Sequence, residues 1–339
     1  MNIERKIKKK QGKNIDFVYI RKGKIIKDTK TLDRIKKLVI PPAWKDVIIA
    51  DSSKDKVQAI GTDDKNRKQY KYNLDYVKYK SDIKYYDTLI EFGKTINEIR
   101  EDISKSLRRR TWDLEKTTAF VIYIIDNCHL RIGNEKYKDE NNSYGITTLE
   151  RRHIKIKSSS VYFDFVGKKG VDNSCIFKNS KIISLFKSLD KEFNPKQNDT
   201  FFKYYGTNNN IHNINSSHIN EFLKQYGDFS AKNFRTWSAN EFIIKYLYNT
   251  LTNLPEDYSE LSERNCTIII NKCVDLVAEK LNNTRAICKK SYICNDIFDD
   301  FKSNPNNFIK TIKSLSKHKI KNCSGLESIL LKLLSKYKN

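Results

Sequence analysis

The run from Trp112 to Cys128, W-D-L-E-K-T-T-A-F-V-I-Y-I-I-D-N-C, constrains the fold more than any other stretch. Its apolar residues recur at three- and four-residue steps, so densely that the helix they predict is buried on several sides. The preceding Y-D-T-L-I-E-F-G-K-T-I-N-E-I-R-E-D-I has the same helical period, which sets in near residue 79. Upstream the pattern is different. D-F-V-Y-I-R-K-G-K-I-I alternates apolar and polar residues around Gly23, a hairpin signal, and a short helix ends near Lys37. In L-V-I-P-P-A-W two prolines rule out a helix interior, and V-Q-A-I-G-T-D-D-K-N-R-K-Q-Y-K-Y reads as two strands turning between Gly61 and Asn66. A chain of 339 residues is long enough for two cores. The patterns predict an α+β fold, with a small β-rich domain over 1–78 and a larger, mainly α-helical domain over 79–339.

Within the larger domain, I-K-I-K-S-S-S-V-Y-F-D-F-V-G-K-K-G-V alternates as two or three strands of a small sheet. Residues 190–215, rich in Asn, Asp and Lys, read as loops. A long helix opens at F-S-A-K-N-F-R-T-W with Ser230 as its N-cap, another covers 256–282, and two amphipathic helices that pack in the ordinary way form the tail.

Lysine and arginine outnumber aspartate and glutamate 65 to 41, a formal charge of +24. A surplus of that size points to a polyanionic partner rather than a merely solubilising surface. Nucleic acid is favoured over membrane, because no apolar run approaches the roughly 20 residues of a spanning helix. The basic N-terminus lacks the apolar core of a signal peptide, so secretion is not expected. The seven cysteines contain no C-x-x-C pair, which argues against zinc and predicts free thiols in a reducing compartment; Cys288 and Cys294 read as small buried side chains.

The chemistry gathers around Leu281–Ile293, where Tyr292 follows the basic pair Lys289 and Lys290. A phenol with a pKa near 10 is a poor nucleophile at neutral pH and needs help. If it attacks a phosphodiester, cations must offset the charge building on the phosphate oxygens, and arginines do so best. Two arginines have unusual surroundings: Arg131 in C-H-L-R-I-G-N-E-K-Y and Arg235 in K-N-F-R-T-W. Between them, Lys168 and Lys169 sit at a glycine-flanked turn. In isolation each has a plainer reading, a structural salt bridge for Arg131 and a solvated tip for Lys168. In the N-terminal hairpin Lys68, Tyr70 and Tyr72 share one face and Gln69 and Lys71 the other; such interleaving suits phosphate and groove contacts, or tyrosines packed in a core.

Taken together, I-P-P-A-W, Q-A-x-G-x-D, R-K-Q-Y-x-Y, L-R-I-G-N-E-x-Y…S-Y-G-I-T-T-L, F-x-G-K, K-x-x-R-T and the terminal tyrosine resemble the type IB DNA topoisomerases, in the short form of poxviruses, some giant viruses and bacteria. The resemblance runs from about Leu38 to about Ile293. It implies the catalytic domain shared with tyrosine recombinases, and a C-shaped clamp on double-stranded DNA. It further implies a monomer that works with DNA inside the cell, or, if viral, in the virion, viral factory or host cytoplasm. Tyr292 would attack a backbone phosphorus and form a 3′-phosphotyrosyl bond. Arg131 and Arg235 would hold the non-bridging oxygens, and Lys168 would protonate the 5′-oxygen, Lys169 being the neighbour left open. Arg67, Gln69, Tyr70, Tyr72, Lys136, Tyr137, Lys232, Lys289 and Lys290 are implied DNA contacts. No cofactor, ATP or metal is implied.

One position departs from the pattern. Many members carry histidine nine residues before the tyrosine, where this chain has Asn283; an asparagine donates a hydrogen bond but carries no charge. Bacterial-type members resemble this chain there, which marks a subtype. Arg285 stands where proline is common, either as a further phosphate contact or as a cover for the site. The tyrosine recombinases share the Arg, Lys, Arg and Tyr logic, yet usually have histidine three residues before the second arginine, where Lys232 stands here, and lack the I-P-P-A-W domain. A basic DNA-packaging protein would account for the charge but not for the motifs.

Overall fold

In the computed structural model residues 2–11, 14–252, 261–316 and 325–338 are described. The chain divides into two compact units, 1–84 and 85–339.

The first unit is built on a six-stranded antiparallel sheet. Its strands are β1 (Asn2–Gln11), β2 (Asn14–Arg21), β3 (Lys24–Ile25), β4 (Lys45–Ala50), β5 (Val57–Thr62) and β6 (Lys68–Tyr72), in the order β3-β2-β1-β4-β5-β6. Helix α1 (Thr29–Lys37), capped by Asp28, presses Ile35 onto Ile3, Val47, Ile49 and Ala59 to form a small core. The proline segment is held from β1: the Arg5 guanidinium donates to the carbonyls of Pro41 at 3.1 Å and Trp44 at 2.6 Å. Because proline lacks an N–H, such a stretch offers carbonyls without donors, and an arginine suits it. Asn73 then caps α2 (Leu74–Asp82), accepting from the Asp75 and Tyr76 amides.

In the second unit α3 (Leu89–Ser106) precedes α4 (Leu114–Cys128), the helix of the apolar run. Ala119, Phe120, Val121, Ile122, Ile124 and Ile125 are all fully buried, so burial on several sides holds. Asp113 caps the start of α4, and His129, at φ 53°, ends it in the left-handed region. There follow α5 (Glu135–Asn141), then β7 (Ile154–Ile156), β8 (Val161–Val166) and β9 (Asp172–Phe177), which form a three-stranded antiparallel sheet. Helix α6 (Ser180–Phe193) places Phe186 against Phe120 at 4.6 Å between ring centroids, fastening the sheet region to α4.

Next come β10 (Lys203–Tyr205), β11 (Ile211–Asn213) and α7 (Ser216–Lys224). The loops expected over 190–215 are therefore corrected to the end of α6 and a short hairpin. Phe201 and Phe202, 1% and 0% exposed, pin this segment into the core, and its polar composition hid them. The C-terminal half consists of α8 (Ala231–Thr252), α9 (Glu263–Lys280), α10 (Arg285–Ser291), α11 (Asp296–Ser303), α12 (Pro305–Ser316) and α13 (Gly325–Lys338). The helix expected over 256–282 begins, in its described part, at Glu263 behind the cap Ser262. Residues 253–260 lie outside the described residues. Ser230 does not cap α8: its hydroxyl donates to Asn233, and the first amide of the helix is satisfied from α7 by Asn220 Oδ1 at 3.2 Å. The tail helices α12 and α13 pack as expected, with Ile329 to Leu331, Leu333 and Leu334 buried.

One expectation about cysteine is overturned. Cys128 and Cys175 form a disulfide between the end of α4 and the middle of β9. Nothing in the spacing marked this pair, because only the fold brings positions 47 residues apart together. Cys266, Cys273, Cys288 and Cys294 are buried and not disulfide-bonded, and Cys323 lies outside the described residues. No described helix is long and apolar enough to cross a membrane.

Candidate active site

Three segments of the second unit converge. The first is the stretch after α4. His129 turns the chain out of the helix, Leu130 is fully buried, and Arg131 follows. The backbone of Arg131 and Ile132 pairs with the segment after α5: the Ile146 amide donates to the Arg131 carbonyl at 2.9 Å and the Thr147 amide to that of Ile132 at 2.8 Å. The glycines of this motif now have a reason. A Cβ on Gly145 would lie 2.4 Å from Gly133 Cα and 2.8 Å from the Arg131 carbonyl oxygen, while Gly133 has φ +96°. The two backbones pass too closely for any side chain.

The second segment is the start of α8, which carries Lys232 and Arg235. Arg235 is 2% exposed. One of its nitrogens, Nη2, donates to the Leu281 carbonyl at 2.7 Å, whereas Nε and Nη1 are buried with no hydrogen-bond partner. Among the described residues, no ion pair is formed by Arg131, Arg235 or Lys232. The salt bridge that would have been the plain reading of Arg131 is thus not there.

The third segment is the turn after α9 together with α10. Arg131 donates to the Asn282 carbonyl at 3.3 Å and to Asn283 Oδ1. An arginine only donates, so the Asn283 atom facing it is the oxygen; its Nδ2 faces elsewhere, buried and without a partner. Tyr292 ends α10 and is 8% exposed. Its ring lies 5.3 Å from the Arg235 guanidinium carbon and 5.7 Å from Lys232 Nζ. Burial acts to raise the phenol pKa, but the charges of Arg235, Arg131 and Lys232 together outweigh it and hold the group below its ordinary value of 10. Burial also pulls Arg235 below its ordinary value, with Tyr292 opposing the shift.

Two residues that sequence reasoning missed hold the backbone of this tyrosine and of Ile293 after it. Asn240 of α8, fully buried, donates to the Tyr292 carbonyl and accepts from the Cys294 amide, both at 2.8 Å. Tyr85 donates to the Ile293 carbonyl at 2.9 Å. The available signal was Asn240 itself, an amide on a helix face otherwise made of Phe234, Trp237, Ile243 and Ile244. His129 is also close; burial pushes it down to about 4, so it is neutral near pH 7. Cys288 is pushed up to about 11 by burial and stays a thiol, in keeping with its packing role.

Lys168 occupies the exposed tip between β8 and β9, with Lys169 at φ 66° and Gly170 at φ 73° forming the turn. Lys289 points its ammonium at Asn271 Oδ1, 2.7 Å away, and over the Phe298 ring; Lys290 is exposed. Lys136 is exposed on α5 and 3.8 Å from Glu140, whereas the side chain of Tyr137 lies outside the described residues. Arg285 forks onto Asp275 of α9 at the surface.

In the first unit, β6 is an edge strand. Tyr70 and Tyr72 are 44% and 45% exposed and stack at 6.0 Å, so they are not core residues. Arg67 and Gln69 both donate to Asp63 Oδ2 at 2.9 Å; hydrogen bonds led by that of Arg67 hold the carboxyl down at about 2.

Residues 74–319 match the family model of the eukaryotic DNA topoisomerase I catalytic core, and residues 16–63 match that of the bacterial DNA topoisomerase IB N-terminal domain. The chain belongs to the type IB DNA topoisomerase family. Among topoisomerases, the DNA topoisomerase 1B of Acanthamoeba polyphaga mimivirus is 29% identical over 310 residues, covering 89% of each chain. The DNA topoisomerase 1B of vaccinia virus is 24% identical over 289 residues, covering 84% of this chain and 86% of the relative. The DNA topoisomerase 1 of Schizosaccharomyces pombe is 29% identical over 222 residues, 63% of this chain but 24% of that much longer topoisomerase.

Proposed function

We propose that this chain relaxes supercoiled double-stranded DNA by cutting and resealing one strand through Tyr292. The observation that carries the reading is Arg235: a guanidinium at 2% exposure, with two nitrogens unpartnered and no carboxylate in an ion pair with it, set beside a buried tyrosine. Burying such a cation alone is costly, and a phosphate offers the matching bidentate acceptor.

In this reading Tyr292 attacks the phosphorus in line and becomes linked to the 3′ end, while a 5′-hydroxyl leaves. Arg131 and Arg235 donate to the non-bridging oxygens as charge grows in the transition state; each such donor is worth roughly 10²–10³ in rate. Asn283 Nδ2 supplies a further donor, and Lys232 adds positive charge beside the phenol. Lys168 reaches the leaving oxygen from its hairpin tip and protonates it, which spares the departure of a strongly basic alkoxide. The phosphotyrosyl bond conserves the free energy of the broken phosphodiester, so resealing calls for no ATP. Rotation of the free end releases supercoils. The Tyr70 and Tyr72 face of β6, with Lys68, contacts DNA from the first unit, as do Arg67 and Gln69; Lys136, Tyr137, Lys289 and Lys290 add contacts from the second. The protein acts as a monomer wherever the DNA of its cell or virion lies.

The test is plasmid relaxation in EDTA without ATP, wild type against Tyr292→Phe, with denaturant-trapped DNA probed for attached protein. Relaxation and a 3′-linked adduct that both disappear in the variant are the expected result. Relaxation that survives the substitution would remove Tyr292 from its role.

A further inference from the structure

The disulfide closes a covalent ring that contains both Arg131 and Lys168. Cys128 is the last residue of α4, three positions before Arg131. Cys175 lies in β9, opposite Phe163 of β8, in the hairpin whose tip bears Lys168. The Cα atoms are 5.8 Å apart across 47 residues of chain.

Besides the disulfide, the sheet is tied to α4 by ring packing, Phe177 of β9 lying 6.1 Å from Tyr123. At the far end of the hairpin the Tyr144 amide donates to the Val166 carbonyl at 3.0 Å, and the next residues, Gly145 to Thr147, lie along Arg131 and Ile132. Beyond Val166 the ribbon runs into the exposed turn at Lys168–Gly170, where a Cβ on Gly170 would meet nothing within 4 Å. The position of an exposed tip on a two-stranded ribbon depends on how firmly its base is held. Here that base is bonded to the helix that delivers Arg131.

We propose that Cys128 and Cys175 are positioning residues for Lys168, and that their bond sets how often its ammonium meets the leaving 5′-oxygen. This rests on the reading of Lys168 as the proton donor. The mechanism is preorganisation: a shorter list of accessible hairpin positions makes the productive one more populated. Bond formation needs an oxidant of the low-molecular-weight disulfide class. Two cysteine thiols give up two electrons to it, and the two protons leave on the two small thiols released. Reduction reverses this through Cys175, the partly exposed sulfur, since Cys128 is 7% exposed.

Peptide mapping of alkylated, unreduced protein should recover a linked pair containing Cys128 and Cys175. Single-turnover cleavage is then compared for oxidised protein, reduced protein, Cys175→Ser and Cys128→Ser on two duplexes. One carries the ordinary 5′-oxygen, the other sulfur in that bridging position, whose thiolate leaves without a proton. Breaking the bond should slow the oxygen substrate about tenfold, part of the roughly 10²–10⁴ that a positioned general acid supplies, and leave the sulfur substrate unchanged. A merely structural bond would slow both alike, and that outcome overturns the inference, as does absence of the linked peptide after oxidation. Lys168→Ala is the control. If it cleaves the oxygen substrate at the wild-type rate, the assignment of Lys168 falls and takes the inference with it. If it is slow while oxidised and reduced protein are equally fast, the inference alone falls.

Discussion

Asn283 gives its oxygen to Arg131 and leaves its Nδ2 buried and unpartnered, so one side chain both aims a cation and offers a neutral donor. Asn283→Ala should lower the single-turnover cleavage rate by about 10², the low end for loss of one transition-state donor, with DNA binding little changed. Asn283→Asp should be slower still, because a carboxylate would neutralise Arg131 and repel the phosphate. Rapid-quench capture of the covalent adduct measures both, and an aspartate variant faster than the alanine variant would count against the assignment.

The phenol of Tyr292 titrates below 10 because three cations outweigh the effect of burial. The phenolate fraction therefore rises with pH earlier than for an ordinary tyrosine. Difference absorbance of the DNA-free protein, wild type minus Tyr292→Phe, should show one tyrosine titrating ahead of 10. Lys232→Met should move that step upward by removing one of the three charges. A step that does not move would mean that Lys232 contributes nothing to the phenol.

Arg100 of α3 bonds both Asp126 of α4, at 2.8 Å, and Glu327 of α13, at 2.5 Å. Glu241 of α8 faces the same group, and burial, then Glu327, raise its carboxyl to about 8. The folded pKa lies above the unfolded value of about 4.5, so the protonated form favours folding. That contribution is complete below about pH 4.5 and is lost as pH rises through about 8. Glu241→Gln should remain folded where the wild type begins to lose stability. Its Tm should exceed that of wild type at pH 8.5 and the difference should shrink toward pH 5, with about 1–3 kcal/mol in play at the alkaline end. Thermal denaturation across that range checks the sign.

Much of the fold was legible because its signals are local. The helical period of Trp112–Cys128 fixes a buried helix, and the alternation around Gly23 and in Val161–Val166 fixes strands. The segment from 190 to 215 carries no readable period, because the apolar residues that anchor it, Phe201, Phe202 and Ile214, stand among polar ones. Ser230 stands at the cap position, but Asn233 Oδ1 accepts from both its amide and its hydroxyl, so the hydroxyl donates instead of capping a helix amide.

By itself the sequence determined the residue types that phosphoryl chemistry needs, their order along the chain and the family they belong to. Only the tertiary structure decided their relations. It set Arg235 beside the Tyr292 ring, chose the orientation of the Asn283 amide, paired Gly133 with Gly145 and joined Cys128 to Cys175. It also assigned Asn240 to the backbone of Tyr292 and Tyr85 to that of Ile293. The physical reason is that such relations depend on desolvation and on contacts between distant segments. A buried arginine and a solvated one have the same letter in the sequence, and only packing distinguishes them.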